Sequence, residues 1–391
     1  MSAMASSVIS SAVRTPIGSL GGSLASFSAP ELGAVSIRAA LDRAQLSVDA
    51  VEEVIMGNVL TGGLGQAPAR QAAIGAGVPE SVPCMTINKV CGSGMKAVML
   101  ADQAIRVGDR KVLVAGGQES MSNAPYLLEK ARFGYRLGDD RLVDSMVRDG
   151  LTDAYEQVHM GVAADRCSET CGVSREAQDE FSIESYRRAQ LSIENGRFED
   201  EIVPVTIEGD TIVKDDEQPG KTDFEKIPHL SPVFSEDGTV TPANASSIND
   251  GASTLVVAEE EYARDAGMPI MARIISRAQH SRKPMEFTTA PIAAVQNVLE
   301  KANLSIDDIG LFEINEAFAV VALVAAGELG IPHEKLNVHG GAVALGHPIG
   351  ASGARILTTL LHAMRQRDEQ YGVAAICIGG GEATAVVVER I

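Results

Sequence analysis

The chain contains 391 residues, of which 45% are hydrophobic and 22% are charged, and its formal net charge is −19 at pH 7. A chain of this length and composition has enough apolar surface for two or three packed domains, which excludes a disordered or fibrous protein. The negative charge argues against nucleic acid or an anionic membrane surface as a partner, because both require a broad basic face.

Neither a membrane-spanning segment nor a secretory signal is predicted. No apolar run approaches the roughly 18 residues that a spanning helix needs, and residues 1–7 lead directly into the strand-like stretch 8–13 without a basic region. The five cysteines form neither a paired framework nor a zinc-binding spacing. We therefore expect a cytoplasmic protein without a metal, and we interpret Cys167 and Cys171 as structural.

The first and last thirds of the chain follow the same order of elements. Residues 46–56 and 304–314 share few identities, but their apolar positions agree. In both thirds a turn, a helix, a strand and a glycine turn come next. They are predicted at 92–94, 95–107, 111–115 and 116–117 in the first third, and at 351–353, 354–365, 373–378 and 379–381 in the last. This order indicates an internal repeat.

The predicted fold is α/β with two halves. Both repeated helices are apolar almost all round, which places them inside the protein, and the adjacent strands are continuous apolar runs that indicate sheets covered on both faces. We therefore predict two βα halves that share a central helical layer. The N-terminal half comprises residues 1–118 and is completed by about 250–272, and the C-terminal half comprises residues 273–391.

Residues 119–249 differ in character from both halves. They are richer in charge, with a predicted helix at 174–195 and loop-like stretches around 215–232. We interpret this segment as an inserted loop domain. Such an insertion on a rigid pair of halves is suited to substrate binding.

Cys91 lies between the strand-like stretch 83–90 and the first repeated helix. The residues at 92–94 allow a sharp turn, and the helix N-terminus would stabilise a thiolate through its free N–H groups and its dipole. Such an elbow is typical of a nucleophile. The alternative is a small buried hydrophobe at a tight turn, but the flanking glycines favour the nucleophile.

His347 lies in the glycine-rich stretch 340–350, just before the second repeated helix. So many glycines indicate an unusual backbone. An imidazole is suited to accept a thiol proton near neutral pH, and the repeat would bring this turn opposite Cys91. The alternative is a structural histidine.

Two further polar side chains lie at the ends of predicted strands. Cys377 precedes three glycines, and its thiol could act as an acid in one half-reaction and as a base in the other, or it could simply fill the strand end. Asn315 follows the strand 311–314, where it either fixes a water in a pocket or caps the next helix.

Five motifs occur in the order, and near the positions, expected of thiolases. They are KVCGSG at 89–94, GQESMS at 117–122, NEAF at 315–318, GHPIG at 346–350 and CIGGG at 377–381. The chain resembles this family over essentially its whole length. The resemblance implies the thiolase fold, in which the two halves form five layers, αβαβα.

The resemblance also implies a reaction and the residues that perform it. Thiolases of the biosynthetic type condense two acetyl-CoA reversibly to acetoacetyl-CoA and CoA, through an acylated cysteine that corresponds to Cys91. His347 would activate Cys91, and Cys377 would exchange protons with the substrates. Two oxyanion sites are implied: His347 with a water held by Asn315, and the backbone N–H groups of Cys91 and Gly379. No cofactor is implied beyond the CoA thioesters themselves.

Substrate contacts and assembly are likewise implied by the resemblance. His159 and Met160 lie in a motif similar to that of short-chain, acetoacetyl-CoA enzymes, and Ser246 corresponds to a residue that touches the pantetheine arm. Ala317 and Phe318 are implied as further substrate contacts. The stretch 121–149 is similar to the region that forms tetramers in the family, which implies a homotetramer.

The chain departs from the family pattern where the CoA phosphates would bind. Gly220 and Ser231 replace arginines that relatives commonly carry. Lys221 and Lys226 either take over these contacts or are ordinary solvated lysines. Two other functions compete with the biosynthetic one: a degradative 3-ketoacyl-CoA thiolase of broader range, and a ketoacyl synthase-like condensing enzyme, which would not need the second cysteine at 377.

Overall fold

The computed structural model of the protein describes residues 5–391. Its strands are β1 (Ser7–Arg14), β2 (Gly18–Ser19), β3 (Glu53–Gly57), β4 (Cys84–Ile87), β5 (Val112–Ser120), β6 (Tyr126–Leu127), β7 (Val143–Asp144), β8 (Val205–Thr206), β9 (Ile212–Val213), β10 (Asn249–Glu259), β11 (Ala272–Ser281), β12 (Leu311–Ile314), β13 (Tyr371–Ile378) and β14 (Glu382–Glu389). Its α-helices are α1 (Ala29–Arg43), α2 (Pro68–Gly75), α3 (Ser93–Arg106), α4 (Met160–Cys171), α5 (Arg175–Glu194), α6 (Glu260–Asp265), α7 (Ala290–Ala302), α8 (Ala319–Leu329), α9 (Ala342–Leu345) and α10 (Ile349–Arg367).

The main sheet has two parts that meet at a narrow seam. One part has the order β4-β3-β5-β10-β1, and the other has the order β11-β14-β13-β12. Strands β1 and β11 join them through only two residue pairs, Val8 with Arg273 and Ile9 with Ala272. In each part the outer strands run parallel, as a βα repeat requires.

Helices cover both faces of each part. Helices α3 and α10 pack against each other between the two parts, where α10 also contacts β10 and β13. Helix α1 covers the outer face of the first part together with α2, and α7 covers the outer face of the second together with α8. The predicted five-layer α/β fold with a shared central helical layer is therefore confirmed.

One predicted turn is wrong. Gly116 and Gly117 do not end a strand but lie inside β5, which continues to Ser120. A Cβ on Gly117 would lie 2.0 Å from the carbonyl oxygen of Gly350, and a Cβ on Gly116 would lie 2.1 Å from that of Ser253. The two glycines therefore serve close packing of the backbone rather than a change of direction.

Glycines also bring the two central helices together. A Cβ on Gly94 of α3 would lie 2.8 Å from the backbone nitrogen of Ala354, and a Cβ on Gly353 of α10 would lie 2.6 Å from that of Met95. The contact is reciprocal, as the internal repeat predicts. Helix α10 begins five residues earlier than the predicted residue 354, so its N-terminus starts directly behind His347.

The segment 119–249 carries α4, α5 and the short strands β6 to β9, and its boundaries as a domain stay a prediction. It is tied to the core by Arg14 of β1, which is fully buried. The Arg14 guanidinium donates to Glu201 at 2.6 Å and to both carboxylate oxygens of Asp216 at 2.7 and 2.9 Å. Within residues 5–391, no helix is long and apolar enough to cross a membrane.

Candidate active site

A cavity of about 180 Å³ brings together most of the residues predicted for the site. Cys91 and Gly379 line it from opposite halves of the molecule, and His347 lines it from the turn before α10. The predicted substrate residues also line it: His159, Met160, Ser246, Ala317 and Phe318. Cys377 and Asn315 are buried close behind this lining, in β13 and directly after β12.

Cys91 lies on a strained elbow between β4 and α3. The preceding Val90 has a φ of +45°, which is rare for a β-branched residue and marks a backbone held in place by its surroundings. Ser93 holds it there, because its hydroxyl donates to the Val90 carbonyl at 2.6 Å and accepts from the Lys89 N–H at 2.8 Å. The predicted elbow is thus present, with a serine rather than a glycine as its main support.

Two backbone N–H groups lie beside the Cys91 sulfur, its own and that of Gly379. Both lower the pKa of the thiol, but burial raises it more, and the result is a pKa of about 11. Burial thus opposes the predicted stabilisation of a Cys91 thiolate by the helix N-terminus. The thiol needs a base, and the two N–H groups remain available for an oxyanion.

His347 is held in a defined tautomer. Its Nδ1 lies 2.5 Å from the Ser352 hydroxyl oxygen, and that hydroxyl donates to the Pro348 carbonyl at 2.9 Å. Ser352 must therefore accept from Nδ1–H, which leaves a lone pair on Nε2. Burial lowers the pKa of His347 to about 3, and Nε2 has no hydrogen-bond partner within residues 5–391. The imidazole is a neutral, unoccupied proton acceptor.

Asn249 fixes the backbone of the histidine turn. Its side-chain oxygen accepts from the His347 N–H at 3.0 Å, and its amide donates to the Gly18 carbonyl at 2.9 Å. The preceding Gly346 has a φ of +107°, and a Cβ there would lie 2.5 Å from the Asn249 amide group. Only glycine fits at this position, which explains part of the glycine-rich motif.

Cys377 lies at the end of β13, before a turn in which Gly380 and Gly381 both have a φ of +90°. Burial raises the pKa of this thiol well above its usual range, and the neighbouring Cys91 and Cys167 raise it further. The position before an exposed glycine turn is as predicted. The thiol carries its proton at neutral pH.

Asn315 does not cap a helix. Helix α8 begins at Ala319, its N-cap is Phe318, and no side chain caps it. Within residues 5–391, neither side-chain atom of the buried Asn315 has a hydrogen-bond partner, although its N–H donates to the Ala375 carbonyl at 2.9 Å. A buried amide with free donors and acceptors is suited to hold a water, which favours the other predicted alternative.

Aromatic rings line part of the cavity. His159 stacks on Phe234 with ring centroids 4.5 Å apart, and Phe318 contacts Phe234 and Phe287 edge to face. The His159 Nδ1 also accepts from the Gly161 N–H at 3.1 Å, so this histidine caps α4 as well. Phe234 and Phe287 were not predicted, because each lies in an irregular segment without a motif.

Glu119, in the motif at 117–122, is buried and joins two chain segments near the cavity by hydrogen bonds. Its carboxylate accepts from Asn58 Nδ2 at 2.7 Å and from the backbone N–H groups of Val59, Leu60 and Gly350 at 2.8 to 3.1 Å. Burial raises its pKa to about 7 despite these donors. Glu119 therefore joins the loop after β3 to the N-terminus of α10.

The remaining predicted residues, Ser246, Lys221 and Lys226, make no hydrogen bond to Glu119, Cys91 or His347. Ser246 donates to the Ala317 carbonyl at 2.9 Å and lines the cavity. Lys221 lies 3.0 Å from the Ser19 hydroxyl, whereas the exposed Lys226 pairs with Asp223 at 2.9 Å. Across residues 5–391, no three His, Cys, Asp or Glu side chains are close enough together to hold a metal ion.

Comparison with known proteins identifies the family. The thiolase N-terminal domain matches residues 7–261, and the thiolase C-terminal domain matches residues 268–390. An acetyl-CoA acetyltransferase of Escherichia coli is 51% identical over 99% of this chain and 100% of its own, and a mitochondrial acetyl-CoA acetyltransferase of Rattus norvegicus is 48% identical over 98% and 91%. The crystal structure of an Ascaris suum thiolase in complex with coenzyme A superposes with a TM-score of 0.95 at 45% identity, covering 99% of this chain and 100% of the other. The chain therefore belongs to the thiolase family.

Proposed function

We propose that this protein is an acetyl-CoA C-acetyltransferase of the biosynthetic type, which condenses two acetyl-CoA reversibly to acetoacetyl-CoA and CoA. The observation that carries the proposal is the convergence of the Cys91 thiol, the neutral His347 and the N–H groups of Cys91 and Gly379 on one cavity. Acetyl-CoA acetyltransferases are 51% identical in sequence to this chain over 98% to 99% of its length.

In the first half-reaction, His347 Nε2 accepts the Cys91 proton while the sulfur attacks the carbonyl carbon of acetyl-CoA. The tetrahedral intermediate collapses to acetyl-Cys91, and the C–S bond to CoA breaks. Cys377 gives its proton to the departing CoA thiolate. The high pKa of the Cys377 thiol supports this order, because the proton is in place before the reaction starts.

In the second half-reaction, the Cys377 thiolate removes an α-proton from a second acetyl-CoA. His347 and a water held by Asn315 stabilise the resulting enolate oxygen, and the carbanion attacks acetyl-Cys91. The new oxyanion lies at the N–H groups of Cys91 and Gly379. Collapse releases acetoacetyl-CoA, and Cys91 recovers its proton from His347. Thiolysis is the same sequence in reverse.

The small cavity supports a short acyl substrate. Its volume of about 180 Å³ is below the range of roughly 300 to 1,000 Å³ that is usual for drug-sized ligands. Met160 and the stacked rings of His159 and Phe234 line this cavity and limit its volume. This arrangement favours acetoacetyl-CoA over the longer substrates of a broad-range degradative thiolase.

The test of this function is thiolysis of acetoacetyl-CoA, followed by loss of its enolate absorbance on addition of CoA. We expect Cys91→Ala to abolish turnover and acyl-enzyme formation. Cys377→Ser should still form acetyl-enzyme on mixing with acetyl-CoA, but condensation should fall by at least about 100-fold, because a hydroxyl is too weak an acid and base. Turnover by Cys91→Ala, or normal condensation by Cys377→Ser, would refute the assigned roles.

A homotetramer is the assembly we propose. The stretch 121–149 contains β6, β7 and several exposed apolar side chains, among which Phe133 and Leu137 are 87% and 99% exposed. An exposed apolar patch of this kind is typical of an interface.

The five cysteines are all free thiols, which supports our proposal of a cytoplasmic location.

The assembly is tested by light scattering on the Phe133→Asp, Leu137→Asp double variant. Charges on these two exposed side chains should not affect the protomer, so we expect a smaller species with an unchanged circular dichroism spectrum. A Leu191→Asp variant, which places a charge on an exposed leucine of α5, is the control and should keep the assembly of the parent protein. If the double variant also keeps it, the tetramer does not depend on this stretch.

A further inference from the structure

A second cavity, of about 720 Å³, lies between α4, α8 and the segment before α7. None of its lining residues lines the catalytic cavity. Cys167 and Cys171 both line it, and their sulfur atoms are 3.9 Å apart. Cys171 is exposed, whereas Cys167 is buried with 6% exposure. The two thiols are therefore neighbours, and solvent reaches them through an open cavity.

The Cα spacing of these cysteines suits a disulfide, whereas their Cβ atoms, about 5–6 Å apart at this helical spacing, have to come closer to reach the usual separation of about 3.5–4.5 Å. The two cysteines are four residues apart on α4, so their Cα atoms are about 6 Å apart, which lies within the range of about 4.4 to 6.8 Å found for disulfides. Cys171 is the last residue of α4, and Gly172 ends the helix with a φ of +67°. Bond formation therefore requires the final turn of α4 to unwind, and this turn is at the end of the helix.

The surroundings give the two thiols different roles. Cys167 is buried, with 6% of its surface exposed. Cys171 is exposed and lines the cavity. An oxidant that enters the cavity therefore meets Cys171 first, and Cys167 is placed to resolve the product.

We propose that Cys167 and Cys171 form an oxidisable dithiol, separate from the catalytic cysteines, which peroxide converts reversibly to a disulfide. The Cys171 sulfur attacks one oxygen of hydrogen peroxide, the O–O bond breaks, and the thiol proton leaves with the other oxygen as water. The Cys167 sulfur then attacks the sulfenic sulfur, the S–O bond breaks, and hydroxide departs with the Cys167 proton as a second water. The two thiols lose two electrons, and the peroxide gains them.

The two cysteines lie at the boundary between the protein surface and a buried cluster of side chains. Cys167 packs in the same buried cluster as Phe318 and Cys377, whereas Cys171 lies at the surface. The dithiol thus stands between solvent and the cluster that contains the second catalytic thiol.

The sequence makes the test unambiguous. Trypsin cleaves after Arg166 and Arg175, so both cysteines occur in the single peptide 167–175, while Cys84, Cys91 and Cys377 fall in three other peptides. The full-length protein is treated with hydrogen peroxide, alkylated with iodoacetamide and digested. We expect peptide 167–175 to lose two hydrogen atoms and to take up no alkyl group. Reduction with dithiothreitol before alkylation should restore two alkylation sites.

Two matched variants complete the experiment. Cys171→Ser should leave Cys167 free to be alkylated after mild oxidation, whereas Cys84→Ser should form the 167–175 cross-link as the parent protein does. Two alkyl groups on peptide 167–175 after peroxide treatment would overturn the proposal. A sulfinic acid at Cys171 without the cross-link would overturn it too, because the two sulfurs would then not react with each other. This readout does not depend on enzymatic activity.

Discussion

A thiol with a pKa of about 11 keeps its proton at neutral pH, and this determines how Cys91 reacts. The free enzyme stores neither a thiolate nor an imidazolium, because burial disfavours both charges. We therefore expect proton transfer to His347 to accompany attack on the thioester rather than to precede it. In this respect the site differs from cysteine enzymes that hold a ready thiolate–imidazolium pair.

The protonation state of Cys91 predicts its reactivity toward a small alkylating agent. Below its pKa, the thiolate fraction grows about tenfold for each pH unit. We expect the rate of Cys91 alkylation by iodoacetamide, measured on peptide 90–96, to rise steadily from pH 6 to pH 9 without a plateau. A plateau below pH 8 would show instead that the N–H groups beside the sulfur outweigh burial.

At the scale of residues, the side chains that meet at the cavity could be predicted from the sequence where a glycine turn lies beside them. Cys91, His347 and Cys377 each stand beside such a turn, and the structure brings all three together. Ser352 and Glu119 were not assigned a role, because their contacts depend on chain segments that are distant in sequence. The pKa of Cys91 was also out of reach, since the local sequence shows a helix N-terminus but not the burial that outweighs it.

At the scale of elements, the inner face of β5 is shaped by glycine. Gly117 lies against the first turn of α10, and this turn begins two residues after His347. A side chain at position 117 would push the N-terminus of α10 away from β5. His347, which lies just before this helix, would move with it. The sequence predicted the helices α3, α5 and α10 and the strands β1, β4, β5, β12 and β13. It placed a turn at 116–117 because close packing and turning both require glycine.

Gly117→Ala tests this contact. Its Cβ would lie 2.0 Å from the Gly350 carbonyl oxygen and 2.8 Å from the Ala351 Cα, neither of which can move without moving α10. We expect a loss of about 1 to 3 kcal/mol in the free energy of unfolding in urea, together with lower thiolysis activity.

Gly327→Ala in α8 is the matched control, because nothing lies within 4 Å of a Cβ there. It should stabilise the protein by about 0.5 to 1 kcal/mol, as alanine does in a helix. Equal urea midpoints for the two variants would mean that α10 adapts to the additional methyl group.

At the scale of the whole molecule, the segment 119–249 is held to the core by charge as well as by apolar packing. Arg14 reaches from β1 to two carboxylates of the segment 119–249, and all three side chains are inaccessible to solvent. Such a cluster is costly to bury but more costly to break. None of these partners could be paired from the sequence, since about 200 residues separate Arg14 from Glu201 and Asp216.

Arg14→Ala should therefore destabilise the protein by about 3 to 5 kcal/mol, because two buried carboxylates lose their partner. Calorimetry or urea unfolding measures this loss. Arg264→Ala removes an arginine that pairs with Glu260 at the surface, and it should cost less than about 1 kcal/mol. A similar small effect for both variants would show that the segment 119–249 is held by apolar contacts alone.

The reciprocal glycine contact between α3 and α10 has a consequence for motion. Where two backbones touch without intervening side chains, no rotamer change can separate them, and solvent enters only when both helices part together. The amides around Gly94 and Gly353 should therefore be among the last to exchange with deuterium, at a rate set by global unfolding of the protomer. The nucleophile and the base each sit just before one of these helices, so the most persistent part of the molecule fixes the distance between them.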